Sequence, residues 1–236
     1  MATYSIRPIA LCAGPRDASQ YTYLMNMGTS TTSVCYIWYI EGSKPKTLVD
    51  AGFNSTLSPG FGLDLSTPEA GLSKIGLKPE DIEVVIVTHL HRDHIALARL
   101  FCKARFIVQK KEFEYARNPH PIDAAVYDRT LFEDLAFEFV DGEQEIIPGV
   151  SVFLSPGHTV GGQSIEVNTS AGRAIITGFC SQLSTFEQTE AMKKKGWQVG
   201  IPLLHHDVKA AYDSVLTVKK RADILVPLHD AFLGAK

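Results

Sequence analysis

A short segment carries the residues with the clearest capacity for chemistry: His89, His91, Asp93 and His94, in the pattern H-x-H-x-D-H. It directly follows the apolar run at residues 84–87. Neutral imidazole and carboxylate are good ligands for zinc, and less selectively for iron or manganese. This spacing predicts a hydrolytic centre that holds two metal ions. The alternative is a solvated polar loop after a strand.

The elements around this segment are expected to hold its side chains together. The preceding run is consecutively apolar and β-branched, which is typical of a strand buried on both faces. In an extended chain after that strand, His89 and His91 point to the same side. Asp93 is a favoured N-cap, and the apolar spacing of residues 95–101 predicts a helix that begins there. The turn into that helix lets Asp93 and His94 face a second ion beside the first.

Composition favours an ordinary globular enzyme. The chain has 236 residues, 45% of them hydrophobic, which is enough for the core of one α/β domain over residues 1–236. Its net charge of −3 gives no general attraction to nucleic acid or to an anionic membrane. Residues 1–11 do not resemble a signal peptide, and no run approaches the roughly 20 apolar residues that span a bilayer. We therefore expect a cytoplasmic protein whose partner is a small-molecule substrate.

Cysteine usage fits the same compartment. Cys12, Cys35, Cys102 and Cys180 lack the spacing of a disulfide framework, which predicts free thiols. Three of them lie in apolar contexts and are interpreted as small core residues. Cys180 is the exception, because it follows the strand predicted at residues 174–177 and could face the metals.

Strands alternate with helices along the chain, and no internal repeat is present. The predicted strands cover residues 33–40, 47–49, 84–87, 106–108, 150–154, 163–167, 174–177 and 224–228. The predicted helices cover residues 69–75, the segment from the end of the fourth strand through residue 115, and residues 206–220. Residues 53–68 are interpreted as a long loop, and residues 118–134 as an insertion that covers the substrate.

The motifs together resemble the metallo-β-lactamase superfamily. The resemblance starts with Asp50 in a strand-end Asp-x-Gly motif and continues through the H-x-H-x-D-H pattern. It then includes His158 in the sequence Ser-Pro-Gly-His-Thr, and it ends at His229 near the carboxyl terminus. The resemblance implies a four-layer αββα sandwich, in which two mixed β-sheets pack face to face between outer helices.

The same resemblance assigns the metal ligands. The first ion would be held by His89, His91 and His158, and the second by Asp93, His94 and His229. Asp93 is also the candidate catalytic residue, as an acceptor for the attacking water. Asp50 is expected either to orient a ligand from outside the metal shell or to cap the local turn. For His158 and His229, the alternative is an ordinary histidine at a strand end.

One departure from the family pattern concerns the second metal. Most hydrolases of this superfamily have an aspartate after the strand equivalent to residues 174–177, and that aspartate bridges both metals. This chain has Phe179 and Cys180 there, with no carboxylate. Cys180 is expected to take that place, as a cysteine does in zinc β-lactamases of the family, and a thiolate favours zinc. The alternative is a buried, small, hydrophobic Cys180 and a weak or empty second site.

The resemblance implies a zinc-dependent hydrolase that uses a metal-activated water to open a cyclic ester. Within the superfamily the chain is most similar to the N-acyl-homoserine lactonase-like group, in its length, its two long loops and its terminal Leu-His-Asp. It lacks the bridging aspartate and the substrate-contacting tyrosine of that group, so cyclic amides, β-lactams and thioesters stay open as substrates. A non-catalytic metal-binding module with a degenerate second site is the alternative from another class.

Two Zn²⁺ ions are the expected cofactors, with iron or manganese as alternatives. Related lactone hydrolases often pair, so the resemblance is compatible with a homodimer. The acyl group and the source of the proton for the leaving group are not specified by any motif in the chain.

Overall fold

Extended, apolar segments dominate the chain, and they form two separate sheets. The computed structural model describes residues 2–57 and 62–231. The strands are β1 (Ser5–Asp17), β2 (Ser30–Glu41), β3 (Thr47–Val49), β4 (Leu63–Asp64), β5 (Val84–Ile86), β6 (Arg105–Gln109), β7 (Phe137–Val140), β8 (Gln144–Ile147), β9 (Val150–Leu154), β10 (Gln163–Thr169), β11 (Gly172–Ile176) and β12 (Ile224–Val226). The α-helices are α1 (Pro68–Ser73), α2 (Arg92–Ile95), α3 (Lys110–Ala116), α4 (Leu183–Phe186), α5 (Glu190–Lys194) and α6 (Val208–Arg221).

Both sheets mix parallel and antiparallel pairs. The larger sheet has the strand order β4-β1-β2-β3-β5-β6-β7, and the smaller sheet has the order β12-β11-β10-β9-β8. Strands β3, β5, β6 and β7 run parallel to one another, whereas β1 and β2 are antiparallel. In the smaller sheet, β11 pairs in parallel with β12 and antiparallel with β10. The carboxyl ends of β3 and β5 therefore lie side by side, which brings the loops that follow them together.

Period-two alternation explains how the layers pack. In β2, Val34, Tyr36, Trp38 and Ile40 belong to the buried cluster between the sheets, together with residues of β9, β10 and β11. Ile37 and Tyr39 point the other way, into a cluster that includes residues of α1, α2 and α3. A third cluster packs α6 on the outer face of the smaller sheet. The predicted αββα sandwich is confirmed.

Several strands occur where the sequence did not predict them. Strand β1 is the longest, and its Pro8 and Pro15 argue against a strand by local preference. Its register with β2 shifts between residues 10 and 12, and this bulge lets the chain follow its partner. Strands β7 and β8 were also missed. The loop predicted at residues 53–68 contains β4, which pairs with β1, and its residues 58–61 lie outside the described residues.

The prediction that a helix begins at Asp93 is wrong in its detail. Helix α2 covers one turn, Arg92–Ile95, with His91 as its N-cap. Asp93 lies within that first turn, and its Oδ2 is directed toward His94, at 3.3 Å from Nε2, rather than toward a free backbone N–H. A separate 3₁₀ turn, Ala98–Leu100, follows and buries Ala98. None of the described helices is long and apolar enough to cross a bilayer.

Candidate metal centre

Three of the predicted ligands form one compact group of imidazoles. His89 and His91 come from the loop after β5, and His158 comes from the turn after β9. Their ring centroids lie 4.6 to 4.8 Å apart. All three side chains are buried, and one nitrogen from each lies within 4.8 Å of the others. The structure therefore brings together the three residues predicted for the first metal.

A second group of donor atoms surrounds Asp93. Its Oδ2 lies 3.3 Å from Nε2 of His94 and 3.8 Å from Nε2 of His229. Sγ of Cys35 lies 3.9 Å from the same oxygen. Cys35 was interpreted from the sequence as a small core residue, and its place beside Asp93 was missed because β2 is distant in the chain.

Cys180 lies on the wall of the same cavity. Neither of the two donor groups found among the described residues includes it. Its neighbour Phe179 is buried against α6 and α4, away from the cavity. Burial raises the pKa of the Cys180 thiol, and the nearby charge of Asp93 raises it further. In the protein without metal, Cys180 is therefore a neutral thiol.

Hydrogen bonds from Nδ1 to backbone oxygens orient two of the imidazoles. His158 donates from Nδ1 to the backbone oxygen of Leu204 at 2.6 Å, and His229 donates to that of Val34 at 3.1 Å. A carbonyl oxygen only accepts, so Nδ1 carries the proton in both rings and Nε2 keeps its lone pair. Burial lowers the pKa of His158 and of His229 to about 4, so both rings are neutral near pH 7. A neutral imidazole with a free Nε2 is ready to bind a metal.

Asp50 organises two further imidazoles. Its Oδ2 lies 2.7 Å from Nδ1 of His94 and 2.9 Å from Oγ1 of Thr88, which donates to it. Because the Thr88 hydroxyl gives its proton to Asp50, it accepts from Nδ1 of His89 at 3.1 Å. Nε2 of His89 and of His94 is then left for another partner.

The chemistry of these two nitrogens fits a metal. Both are buried and make no hydrogen bond with any described residue, although Nε2 of His94 lies 3.3 Å from the carboxylate of Asp93. A buried polar atom without a hydrogen-bond partner is costly, so Nε2 of His89 fits a ligand role. Burial lowers the pKa of His94, but Asp93 and Asp50 outweigh it and raise the pKa to about 10. A metal at Nε2 must therefore displace a proton from His94.

Glu112 fixes the two loops that carry the first group of imidazoles. Its carboxylate is completely buried and accepts the backbone N–H of Leu90 and of Gly161, each at 3.0 Å. Tyr127 donates its hydroxyl to the same carboxylate at 3.2 Å. Burial raises the pKa of Glu112. Sequence analysis missed this residue, because an acidic residue in the short helix α3 carries no signal that distinguishes it from a surface residue.

A cavity of about 250 Å³ opens over both groups. Its apolar wall includes Phe53, Val126 and Leu204, and its polar wall includes Arg16 and Tyr21. Val126 belongs to the segment at residues 118–134 that was predicted to cover the substrate. The arrangement provides buried metal ligands on one side and a mixed apolar and polar surface on the other.

Comparisons with known proteins agree with this geometry. The sequence profile of the metallo-beta-lactamase superfamily matches residues 30–229. The chain is similar to an N-acyl homoserine lactonase of Bacillus sp, with 26% identity over 79% of this chain and 74% of the relative. It is also similar to a probable metallo-hydrolase of Methanocaldococcus jannaschii, with 31% identity over 69% of this chain and 64% of the relative.

Two solved structures share the fold. One is an N-acyl homoserine lactone hydrolase with the product N-hexanoyl-L-homoserine bound at its catalytic metal center; its TM-score is 0.76 at 24% identity, over 98% of this chain and 95% of that one. The other is AidC, a dizinc quorum-quenching lactonase, with a TM-score of 0.70 at 14% identity, over 98% of this chain and 92% of that one.

Proposed function

The chain belongs to the metallo-beta-lactamase superfamily, and from that premise we propose that it is a metal-dependent hydrolase that opens cyclic esters. N-acyl homoserine lactones are the proposed substrate class. The observation that carries the proposal is the convergence of four imidazoles and Asp93 on one cavity, with the imidazole of His89 buried beside two of them. The names of the relatives support the substrate class, since several are N-acyl homoserine lactonases. Residues 1–236 are proposed to act as one domain.

Two zinc ions are the proposed cofactors. The proposed ligands of the first ion are His89, His91 and His158, and those of the second are Asp93, His94, Cys180 and His229. A set of imidazole, carboxylate and thiolate donors suits zinc better than harder metals. When bound, the ions supply polarisation of a carbonyl oxygen and a lowered pKa for a water molecule.

Asp93 is the proposed catalytic residue. Its side chain is 26% exposed, so one face reaches the cavity while the other meets His94 and His229. The two imidazoles hold the pKa of Asp93 well below its usual range, although burial opposes them. An ionised Asp93 can accept a hydrogen bond from the water that attacks the ester carbon. The ring C–O bond then breaks, and a proton of that water is delivered to the departing alkoxide oxygen.

The cavity suits an acylated lactone. Phe53, Val126 and Leu204 offer an apolar surface to an acyl chain. Tyr21 offers a phenol in the same cavity, although residues 179–183 lack the substrate-contacting tyrosine of the lactonase group. We infer that the Tyr21 hydroxyl donates to a carbonyl oxygen of the substrate. A buried, neutral phenol fits this role, because burial raises the pKa of Tyr21.

The test is turnover of a substrate panel by zinc-loaded protein, with a chelated sample as control. The panel contains an N-acyl homoserine lactone, a cyclic amide, a β-lactam and a thioester, and mass spectrometry detects the addition of water. The proposal predicts hydrolysis of the lactone in the zinc-loaded sample alone. Preferred hydrolysis of another substrate would move the chain to that class, and no metal-dependent hydrolysis of any of them would favour a non-catalytic metal-binding module.

A further inference from the structure

Cys35 occupies an unexpected place at the candidate metal centre. It lies on β2, where its neighbour Val34 is tied to the carboxyl-terminal segment by two hydrogen bonds. The backbone N–H of Val34 donates to the oxygen of His229 at 3.2 Å, and Nδ1 of His229 donates back to the oxygen of Val34 at 3.1 Å. An isolated bridge between Ser33 and Asp230 extends the contact. These bonds fix Cys35 beside His229.

The distances around Asp93 match those of ligands that share one metal. In a tetrahedral zinc site, two N or O ligands lie about 3.4 Å apart, and an O and an S ligand lie about 3.6 Å apart. Oδ2 of Asp93 lies 3.3 Å from Nε2 of His94 and 3.8 Å from Nε2 of His229. Sγ of Cys35 lies 3.9 Å from that oxygen, close to the O–S separation.

A further observation also indicates a metal site at this position. One donor atom from each of Cys35, Asp93 and His229 lies within 4.8 Å of the other two. Cys35 itself is 1% exposed, so its sulfur faces protein atoms and not the open cavity. A metal placed among these three groups would contact the sulfur of Cys35 together with donors of Asp93 and His229.

We propose that Cys35 is a thiolate ligand of the second metal, together with Asp93 and His229. The inference rests on the proposed function, since it adds a ligand to that metal centre. It assigns to a residue of β2 a role that the family pattern gives to no residue of that strand. On metal binding, the Cys35 S–H bond breaks, the sulfur keeps the electron pair and binds the metal, and the proton leaves to solvent.

Cys12 and Cys180 are the other two buried cysteines, and the test must distinguish them from Cys35. Cys12 is the cross-strand partner of Cys35, and both belong to a small buried cluster with Phe53. Cys12 is not a member of either donor group among the described residues. Cys180 lines the cavity beside Asp93. A test must therefore separate the sulfur of Cys35 from that of Cys180.

Cobalt substitution provides that test, because a thiolate bound to Co²⁺ gives an intense near-ultraviolet charge-transfer band that nitrogen and oxygen ligands lack. The starting protein is the variant C102S/C180S, loaded with Co²⁺ and measured for bound cobalt. It removes the exposed Cys102 and the cavity thiol, and leaves Cys12 and Cys35 as the remaining two of the four cysteines. We expect the band in this variant, and its loss when C35S is added.

A matched variant identifies the sulfur without altering Cys35. Adding C12S to C102S/C180S leaves Cys35 as the sole thiol, and we expect the charge-transfer band to persist. Two bound cobalt ions without the band in C102S/C180S would overturn the inference and leave the proposed function standing. A band that survives C35S would overturn it as well. Failure of the wild-type protein to bind cobalt would contradict both the inference and the proposed function.

Discussion

Oδ2 of Asp50 lies 2.7 Å from Nδ1 of His94, in a fully buried contact at the ends of β3 and α2. The same carboxylate receives the N–H and the hydroxyl of Thr88. One side chain therefore sets the direction of His94 directly and that of His89 through Thr88. The positive φ of Asp50, 58°, is a backbone conformation that aspartate tolerates better than most residues, and it aims the carboxylate at both partners.

Asp50→Asn should weaken metal binding without removing a ligand. The neutral amide no longer stabilises the proton on Nδ1 of His94, and loss of such an outer partner costs about 10- to 100-fold in metal affinity. Competition with a zinc chelator measures the change. The exposed carboxylate of Asp141 provides the control Asp141→Asn, which should bind zinc as the wild type does. Equal affinities for all three proteins would show that Asp50 does not orient a ligand.

Glu112→Gln should destabilise the loops of the first metal group. The N–H groups of Leu90 and Gly161 donate to different oxygens of Glu112, so whichever oxygen the amide nitrogen replaces, one of these buried donors loses its acceptor. An unsatisfied buried donor costs about 1–3 kcal/mol in the free energy of unfolding. Urea denaturation of the metal-free protein measures this loss. A variant as stable as the wild type would mean that the two loops do not depend on the carboxylate.

Gly157→Ala should destabilise the turn that carries His158. The φ of Gly157 is 117°, and a Cβ there would lie 2.0 Å from the backbone nitrogen of Ala211 in α6. Gly142 is a matched control, because its φ is 90° but an added Cβ meets nothing within 4 Å. Backbone strain of about 1–3 kcal/mol applies to both variants, so the additional fall in Tm of Gly157→Ala reports the steric conflict with α6. Equal Tm values would contradict this packing.

Tyr21→Phe should lower kcat/KM for a lactone by roughly 10-fold, the value of one hydrogen bond to the substrate. The zinc content should not change, since Tyr21 is not a proposed ligand. Steady-state kinetics together with metal analysis provide the measurement. Unchanged kinetics would remove Tyr21 from substrate binding, and a fall in bound zinc would show that the phenol supports the metal site instead.

Sequence patterns predicted the layers of the fold better than its edges. Strands β3 and β9 occur at the predicted residues, because their apolar runs are buried and bounded by turns. Strand β1 could not be predicted, since its prolines oppose the local preference and its pairing with β2 stabilises it instead. The predicted start of α2 was wrong because the side chain of Asp93 points toward His94 and does not cap the helix.

At the site, local motifs were informative and distant contacts were not. His89, His91 and His158 were expected to meet, and the structure places them together. The positions of Cys35 and Glu112 depend on packing between elements far apart in the chain. Neither residue belongs to a sequence motif from which its position could be predicted. The position of Cys35 follows from the bridge between residues 33 and 230, and that of Glu112 from its bonds to two loops.

The most direct test of the central claim is acid release at constant pH after a long-chain N-acyl homoserine lactone is added to zinc-loaded protein. Ring opening converts a neutral ester to a carboxylate, so each turnover releases one proton. We predict steady acid production that stops when zinc is chelated and returns when zinc is restored, and none from His91→Ala. No acid release from wild-type protein with two bound zinc ions per chain would contradict lactone hydrolysis as its function.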